Sequence, residues 1–175
     1  MHRKVFLFCL ACAVALHPVS GPARGDGLPA TKTTLDLVRA AAAGDLPQVR
    51  ALLQAGADAN VVGPDWRSPL ILAAALGRVD MVQALVRAGA RVDWQDADEI
   101  SPLIMAAAGN HAAVAEYLIL AGADPMPADR WGRRALDYAL ARGKNDVVAR
   151  MLRRAEINRP LAKGAGEVQA GEAVQ

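Results

Sequence analysis

The strongest constraint in this sequence is its internal periodicity. The pair Gly-Ala begins at Gly56, Gly89 and Gly122, and the triplet Ser-Pro-Leu begins at Ser68 and Ser101. Both motifs therefore recur with the same 33-residue period. A unit of this length cannot bury a hydrophobic face alone, so the period predicts copies that stack side by side in a solenoid.

Each unit is predicted to form two short helices. Ser68 is placed to cap a helix whose first residue is Pro69, where a missing N–H does no harm. Gly77 then turns the chain, and apolar residues at helical spacing from Val79 to Val86 predict a second helix. At the equivalent turn position Gly44 and Gly143 recur, while the third unit has Asn110, which also tolerates a left-handed conformation. The predicted fold class is all-α, with helix-turn-helix units joined by hairpin loops.

The Ser-Pro-Leu helix start and the Gly-Ala helix end together resemble the ankyrin repeat. The resemblance covers residues 30–160 and implies an ankyrin-repeat solenoid of about four units, near 30–62, 63–95, 96–128 and 129–160. It departs from the family at the motif's histidine, which is replaced by Ile71, Ile104 and Asp137. The usual Thr–His hydrogen bonds between repeats are therefore expected to be missing, with apolar contact in their place.

The two ends of the chain lack the 33-residue repeat pattern. Residues 1–25 have a basic start, an apolar run over Val5–Leu16 and small residues after Pro18, which predicts a cleavable signal peptide. The run is shorter than the roughly 20 residues that span a bilayer. Lipoprotein anchoring at Cys12 is an alternative, although Cys9 stands where that motif has an aliphatic residue. Residues 161–175 lack apolar periodicity and are predicted to form a disordered tail.

Charge argues against two classes of partner. Without Arg3, Lys4 and Arg24 of the predicted signal, 20 basic and 18 acidic residues become 17 and 18. This balance gives no reason to expect nucleic acid or, after signal cleavage, a membrane surface as the partner. The charges are segregated, however: residues 63–128 hold eight acids and four arginines, and residues 129–161 hold nine bases and four acids.

The remaining residues offer little for catalysis. After residue 25 the chain has no cysteine, its serines Ser68 and Ser101 are capping residues, and its histidine is His111. Neither a nucleophile–base pair nor a His/Cys metal site can be assembled from these, so no enzyme activity, small-molecule substrate, metal or cofactor is expected. A hydrogen bond within its own turn is the expected role of His111. The acidic segment 93–99 has alternating oxygen ligands that could hold calcium, but it lacks the glycine of an EF-hand loop.

The positions of the tryptophans predict a binding surface. The three tryptophans fall in the segments between repeats, outside the predicted helices, and Trp66 takes a position where the ankyrin pattern prefers glycine. Large aromatics beside arginine are typical of binding hot spots. We predict a recognition surface on the hairpin tips and the adjoining concave face formed by the inner helices. Trp94 has the alternative of folding back onto the hairpin base. The residues of this surface are Trp66, Arg67, Trp94, Asp98, Glu99, Arg130, Trp131 and Arg133, with Arg130, Arg133 and Arg142 able to steer an acidic partner.

The function expected from these features is protein binding without catalysis. Alanine- and arginine-rich usage suggests a bacterial source, so a signal peptide implies the periplasm. The partner is expected to be a protein, and the chain a helper or scaffold for a periplasmic enzyme, for example in oxidative-stress defence. Two alternatives stay open: an immunity-type inhibitor of a periplasmic toxin, and an effector exported to a host cell.

Overall fold

A computed structural model describes residues 32–143 and 146–164. This part of the chain holds eight α-helices and one turn of 3-10 helix at Pro64–Trp66, and has no β-strand beyond one isolated bridge. The α-helices are α1 Lys32–Ala43, α2 Leu46–Gln54, α3 Pro69–Ala75, α4 Val79–Arg87, α5 Pro102–Ala108, α6 Ala112–Leu120, α7 Ala135–Leu140 and α8 Val147–Gly164.

The helices stack in two layers. Each odd-numbered helix packs against the even-numbered helix that follows it, and the four resulting pairs lie side by side. The inner layer is α1, α3, α5 and α7, and the outer layer is α2, α4, α6 and α8, with each helix contacting its neighbours in the same layer. The prediction of an all-α solenoid of four helix-turn-helix units is confirmed.

The inner helices begin as the sequence predicts. Ser68 Oγ accepts a hydrogen bond from the backbone N–H of Ile71 at 3.3 Å, and Ser101 Oγ accepts one from Ile104 at 3.2 Å. Proline follows each serine at a position that needs no donor. Ile71 and Ile104 are fully buried. In these two units apolar packing therefore takes the place expected for the missing Thr–His hydrogen bond. In the last unit the equivalent residue, Asp137, is exposed and accepts a hydrogen bond from Arg134 N at 2.8 Å.

The turn between the two helices of a unit is left-handed in the first three units. Gly44, Gly77 and Asn110 have φ of 71°, 68° and 59°. Asparagine thus meets the same backbone demand as glycine, as predicted. Gly143 differs, with φ of 143°. The last turn also shifts the register, because the buried residues Val148, Ala149 and Leu152 of α8 come one position later than the repeat period places them.

Alanine forms much of the core because the helices approach closely. Ala73, Ala74, Ala106 and Ala107 are wholly buried on the inner helices, and larger side chains such as Leu85 fill the space between the layers. Small side chains let backbones come near one another, so short helices can still bury a continuous apolar face.

The predicted ends of the repeat domain need one adjustment. Helix α8 has 18 residues against nine in α2, α4 and α6, and it continues to Gly164, past the predicted end at residue 160. The predicted signal peptide (1–25) and most of the predicted tail (165–175) lie outside the described residues. In the part of the chain that is described, no helix is both long and apolar enough to cross a membrane.

Candidate protein-binding surface

Three hairpin tips, residues 63–68, 96–101 and 129–134, connect successive units. Each tip is closed by a backbone hydrogen bond, for example from Asp129 N to Arg133 O at 2.9 Å. Neighbouring tips are also joined, because Ala97 N donates to Asp65 O at 2.9 Å and Arg130 N donates to Asp98 O at 3.0 Å. The tips therefore form one continuous edge whose side chains are held in a fixed order.

Two buried aspartates build the second and third tips. Asp96 Oδ1 accepts hydrogen bonds from the N–H groups of Asp98 and Ile100, at 2.9 and 3.0 Å. Its other oxygen pairs with Arg67 Nε at 3.3 Å, which ties this tip to the one before it. Asp129 occupies the equivalent position of the next unit. A buried carboxylate with several donors orders the loop around it.

The last tip has the densest polar network. Asp129 Oδ1 accepts from Trp131 N and Arg133 N, both at 2.9 Å, and Oδ2 accepts from the Tyr138 hydroxyl at 2.6 Å. Burial by itself raises the pKa of the Asp129 carboxyl, but these hydrogen bonds outweigh it and hold the pKa below its usual value. Burial and the bond to Asp129 raise the pKa of Tyr138 to about 12.

Trp66 is exposed and has a left-handed backbone. Its φ is 60°, and the equivalent residues of the next two units, Glu99 and Gly132, have φ of 61° and 75°. The site therefore favours glycine, in agreement with the sequence pattern. Trp66 ends the short turn Pro64–Trp66, in which both Asp65 and Trp66 have left-handed φ values of 60°, so Trp66 does not lie in a regular helix. Its side chain is 60% exposed.

Trp94 is half-buried and holds the first two tips together. Its Nε1–H donates to the carbonyl oxygen of Trp66 at 2.8 Å. The two indole rings are stacked, with centroids 6.5 Å apart and planes inclined by 20°. The guanidinium of Arg91 lies over the Trp94 ring at 6.0 Å from its centroid. Of the two interpretations of Trp94, this geometry favours a ring folded against the neighbouring hairpin.

Trp131 is the second exposed aromatic, at 57%. Arg130 and Arg133 place their guanidinium groups 5.5 and 5.1 Å from its ring centroid. Arg130 also pairs with Asp98 at 2.7 Å, and this hydrogen bond raises the pKa of Arg130 above its usual value. Arg133 lies over the Tyr138 ring as well, at 4.6 Å. Both arginines therefore lie within cation–π distance of the Trp131 ring.

The structure thus brings eight of the nine predicted residues together on or beside the tips. Arg142 is the exception. It lies in the turn after α7, where its Nη1 donates to Ala107 O at 2.7 Å and its Nε pairs with Asp146 at 3.1 Å. These contacts join the turn to the preceding unit. Arg67 is on the tip edge but is largely covered through its pair with Asp96.

His111 plays a structural part, although its bond is not within its own turn. The ring Nε2 lies 3.0 Å from the carbonyl oxygen of Ala75, at the end of the preceding inner helix. Arg78 makes an equivalent contact one unit earlier, where its Nη1 donates to Gly44 O at 3.0 Å. The expected bond within the turn is replaced by a contact between units, because stacking brings each turn beside the free carbonyls of the previous helix.

The acidic segment 93–99 does not gather its carboxylates. Asp96 bonds its own loop, Asp98 pairs with Arg130, and Asp93 Oδ1 accepts from Asp124 N at 2.9 Å. Across the described residues, no group of three or more His, Cys, Asp or Glu side chains is arranged to hold a metal ion.

The inner layer places a row of half-buried, largely apolar side chains beside the tips. Leu72, Met105 and Tyr138 occupy the same position in three successive inner helices and are half-buried. Sequence reasoning missed these residues, and it also missed the loop-building role of Asp96 and Asp129. A signal existed, because each set recurs at the repeat spacing. The period alone did not distinguish positions that face the core from positions beside a binding surface.

Comparison with known proteins agrees with this architecture. A family model described as ankyrin repeats in three copies matches residues 37–129 and, in an overlapping placement, residues 70–160. Together these matches cover more than half of the 175 residues. No curated protein matched the chain.

Proposed function

Because the chain belongs to the ankyrin-repeat family, whose members generally mediate protein–protein interaction, we propose that it is a protein-binding module of the bacterial periplasm. The family is typically non-enzymatic, and we assign no reaction to this chain. The partner is a protein bound by the hairpin tips and the adjoining inner-helix face. The chain acts as a helper or scaffold for a periplasmic enzyme.

The conformation of Trp66 carries this proposal. A left-handed backbone costs a non-glycine residue roughly 1–2 kcal/mol, and an exposed indole recovers little of that by burial. Gly132 shows the residue that suits the position. The left-handed backbone recurs at all three tips, so a tryptophan here carries strain that glycine would avoid, and such strain is characteristic of functional sites. Contact with a partner accounts for an exposed tryptophan at a position that suits glycine.

The second exposed tryptophan supports the same surface. Trp131 is flanked by Arg130 and Arg133, and tryptophan and arginine are the side chains most often found at binding hot spots. Asp98 and Asp129 in turn fix those arginines through ion pairs. A preorganised side chain loses less conformational entropy when a partner binds.

Site-specific photo-crosslinking in cells tests the surface whatever the identity of the partner. A benzophenone amino acid replaces Trp131 or Glu99 on the tips, and Gln54 at the exposed end of α2 serves as the control. We expect one defined crosslinked protein from the tip positions and none from Gln54. The Trp66→Ala substitution should reduce its yield several-fold.

Equal crosslinking from the tips and from Gln54, or none from the tips, would contradict the proposal. Cell fractionation tests the location separately. Recovery of the protein from the periplasmic fraction supports a helper or scaffold, whereas release into the medium indicates an exported effector.

A further inference from the structure

The last helix has an exposed face that the tips and the inner layer do not use. In α8, Val148, Ala149 and Leu152 are completely buried against the preceding helices. The opposite side exposes Val147 at 52% and Ile157 at 74%. Arg150, Arg153 and Arg154 lie between them and are exposed. We call these five residues the outer face of α8.

Register places part of this face on the outer surface of the solenoid. With the one-position shift in α8, Arg150 corresponds to Glu116 and Arg154 to Leu120 of α6, and both of those residues are exposed. Leu120 is 79% exposed, so an apolar side chain also stands at the neighbouring helix end. The outer layer lies opposite the inner helices, and therefore away from the inner-helix part of the proposed partner-binding surface.

The two acidic residues of the α8 segment pair with arginines outside this face. Asp146 pairs with Arg142 at 3.1 Å, and Glu156 pairs with Arg134 at 3.2 Å. Among the side chains that the structure describes, none forms an ion pair with Arg150, Arg153 or Arg154. The face is therefore basic, with apolar side chains at its two ends.

A solubility cap explains only part of this composition. Arg153 takes the place of the half-buried apolar residue Ile119 of α6, so it ends the stacking where a further unit would pack. A polar cap does not require Ile157 or Leu120 to be about three-quarters exposed. Cations concentrated on one exposed face give it a local positive charge, which favours an anionic partner.

We propose that the outer face of α8 binds the surface of an anionic phospholipid bilayer. Guanidinium groups bind phosphate in a bidentate manner. The exposed side chains of Val147 and Ile157, together with Leu120 at the end of the neighbouring α6, supply apolar groups that can enter the headgroup region. A row of exposed cations along one helix suits an extended flat surface better than it suits a protein segment, which needs a groove. The overall charge balance gave no reason to expect a membrane, but the charges are segregated and the cations collect at this end.

Vesicle cosedimentation of the full chain tests the proposal. Vesicles containing phosphatidylglycerol and phosphatidylcholine are compared with vesicles of phosphatidylcholine alone. The double variant Arg150→Gln/Arg154→Gln should lower the partition coefficient on anionic vesicles about thirtyfold, since each arginine near such a surface contributes about fivefold. Ile157→Ser should weaken binding further, and raised salt should release the protein.

A matched control is available in the chain. Arg50 and Arg87 occupy the same outer positions in earlier units and are also exposed, so Arg50→Gln/Arg87→Gln changes the charge equally. We expect the control to bind like the unaltered chain. Equal losses in both variants, or no preference for anionic vesicles, would overturn the proposal. Self-association that the Arg150/Arg154 variant abolishes, without vesicle binding, would overturn it in favour of a second copy of the chain. None of these outcomes bears on the tips.

Discussion

The indole nitrogen of Trp94 donates a hydrogen bond to the carbonyl oxygen of Trp66 over 2.8 Å, while the two rings stack. One residue thus fixes both the backbone and the ring plane of another that lies 28 positions earlier. Trp66 is the exposed member of the pair and Trp94 the supporting one. The hydrogen bond and the stacking from Trp94 thus support the exposed ring of Trp66, whose backbone is left-handed.

Replacing Trp94 by phenylalanine should separate the effect of the hydrogen bond from the effect of the ring stacking. Trp94→Phe removes the N–H donor and keeps an aromatic ring, so we expect the free energy of unfolding to fall by about 1 kcal/mol. Near-ultraviolet circular dichroism should show Trp66 becoming less ordered. An unchanged spectrum with unchanged stability would mean that Trp94 does not position Trp66.

Trp66→Gly and Trp66→Ala test the cost of the left-handed backbone. The glycine variant should be more stable than the alanine variant by about 1 kcal/mol, because only glycine adopts φ of 60° freely. Both should lose the crosslinked partner equally. Urea denaturation measures the first result, and Glu99→Gly against Glu99→Ala supplies the control at the equivalent position. A more stable alanine variant would remove the strain argument.

The buried carboxylate of the last tip should contribute strongly to stability. Asp129→Ala leaves the donors of Trp131, Arg133 and Tyr138 without their acceptor, so we expect a loss of about 3 kcal/mol. Glu116→Ala, at an exposed position, should change little. The pKa of Asp129 is lowered on folding. Its contribution to the free energy of unfolding is therefore fully present above about pH 3.8 and is lost as the pH falls through the lower pKa of the folded state. Urea midpoints at pH 6 and pH 3 measure this.

Tyr138 should make the protein sensitive to alkali. Its pKa rises from 10.0 to about 12 on folding, so its contribution is complete below pH 10 and is lost between pH 10 and about 12. Between pH 10 and about 12 the free energy of unfolding should fall less in the Tyr138→Phe variant than in the unaltered protein. Identical alkaline titrations of both proteins would show that the hydroxyl is not linked to folding.

A pair of glycine substitutions tests the packing of His111. Gly77→Ala combines a φ of 68° with a collision between the new Cβ and the imidazole. Gly89→Ala has φ of 88° and nothing within 4 Å, so it measures the backbone cost alone. We expect Gly77→Ala to be the more destabilising by about 1–2 kcal/mol. In the His111→Ala background this excess should disappear, as thermal unfolding would show.

Local and periodic features of this protein could be predicted from its sequence. Ser68 caps its helix through a bond three residues away, and Asn110 replaces glycine in the turn within its unit. Such contacts need only neighbouring residues, and the repeat period copies them along the chain. The four units, the serine caps of α3 and α5 and the placement of the tryptophans on or beside the tips followed from these patterns.

Tertiary structure decided the contacts between units. The bond from Trp94 to Trp66, the contact of His111 with Ala75 and the position of Arg142 on a turn away from the tips join residues 28 to 36 positions apart. Their partners depend on how far each unit is rotated against the next and on the rotamers that this rotation permits. A period states which positions are equivalent, but the stacking geometry decides which side chains meet. Trp66 could therefore be placed on a tip from its sequence position, whereas its strained backbone and its support by Trp94 emerged only from the folded array.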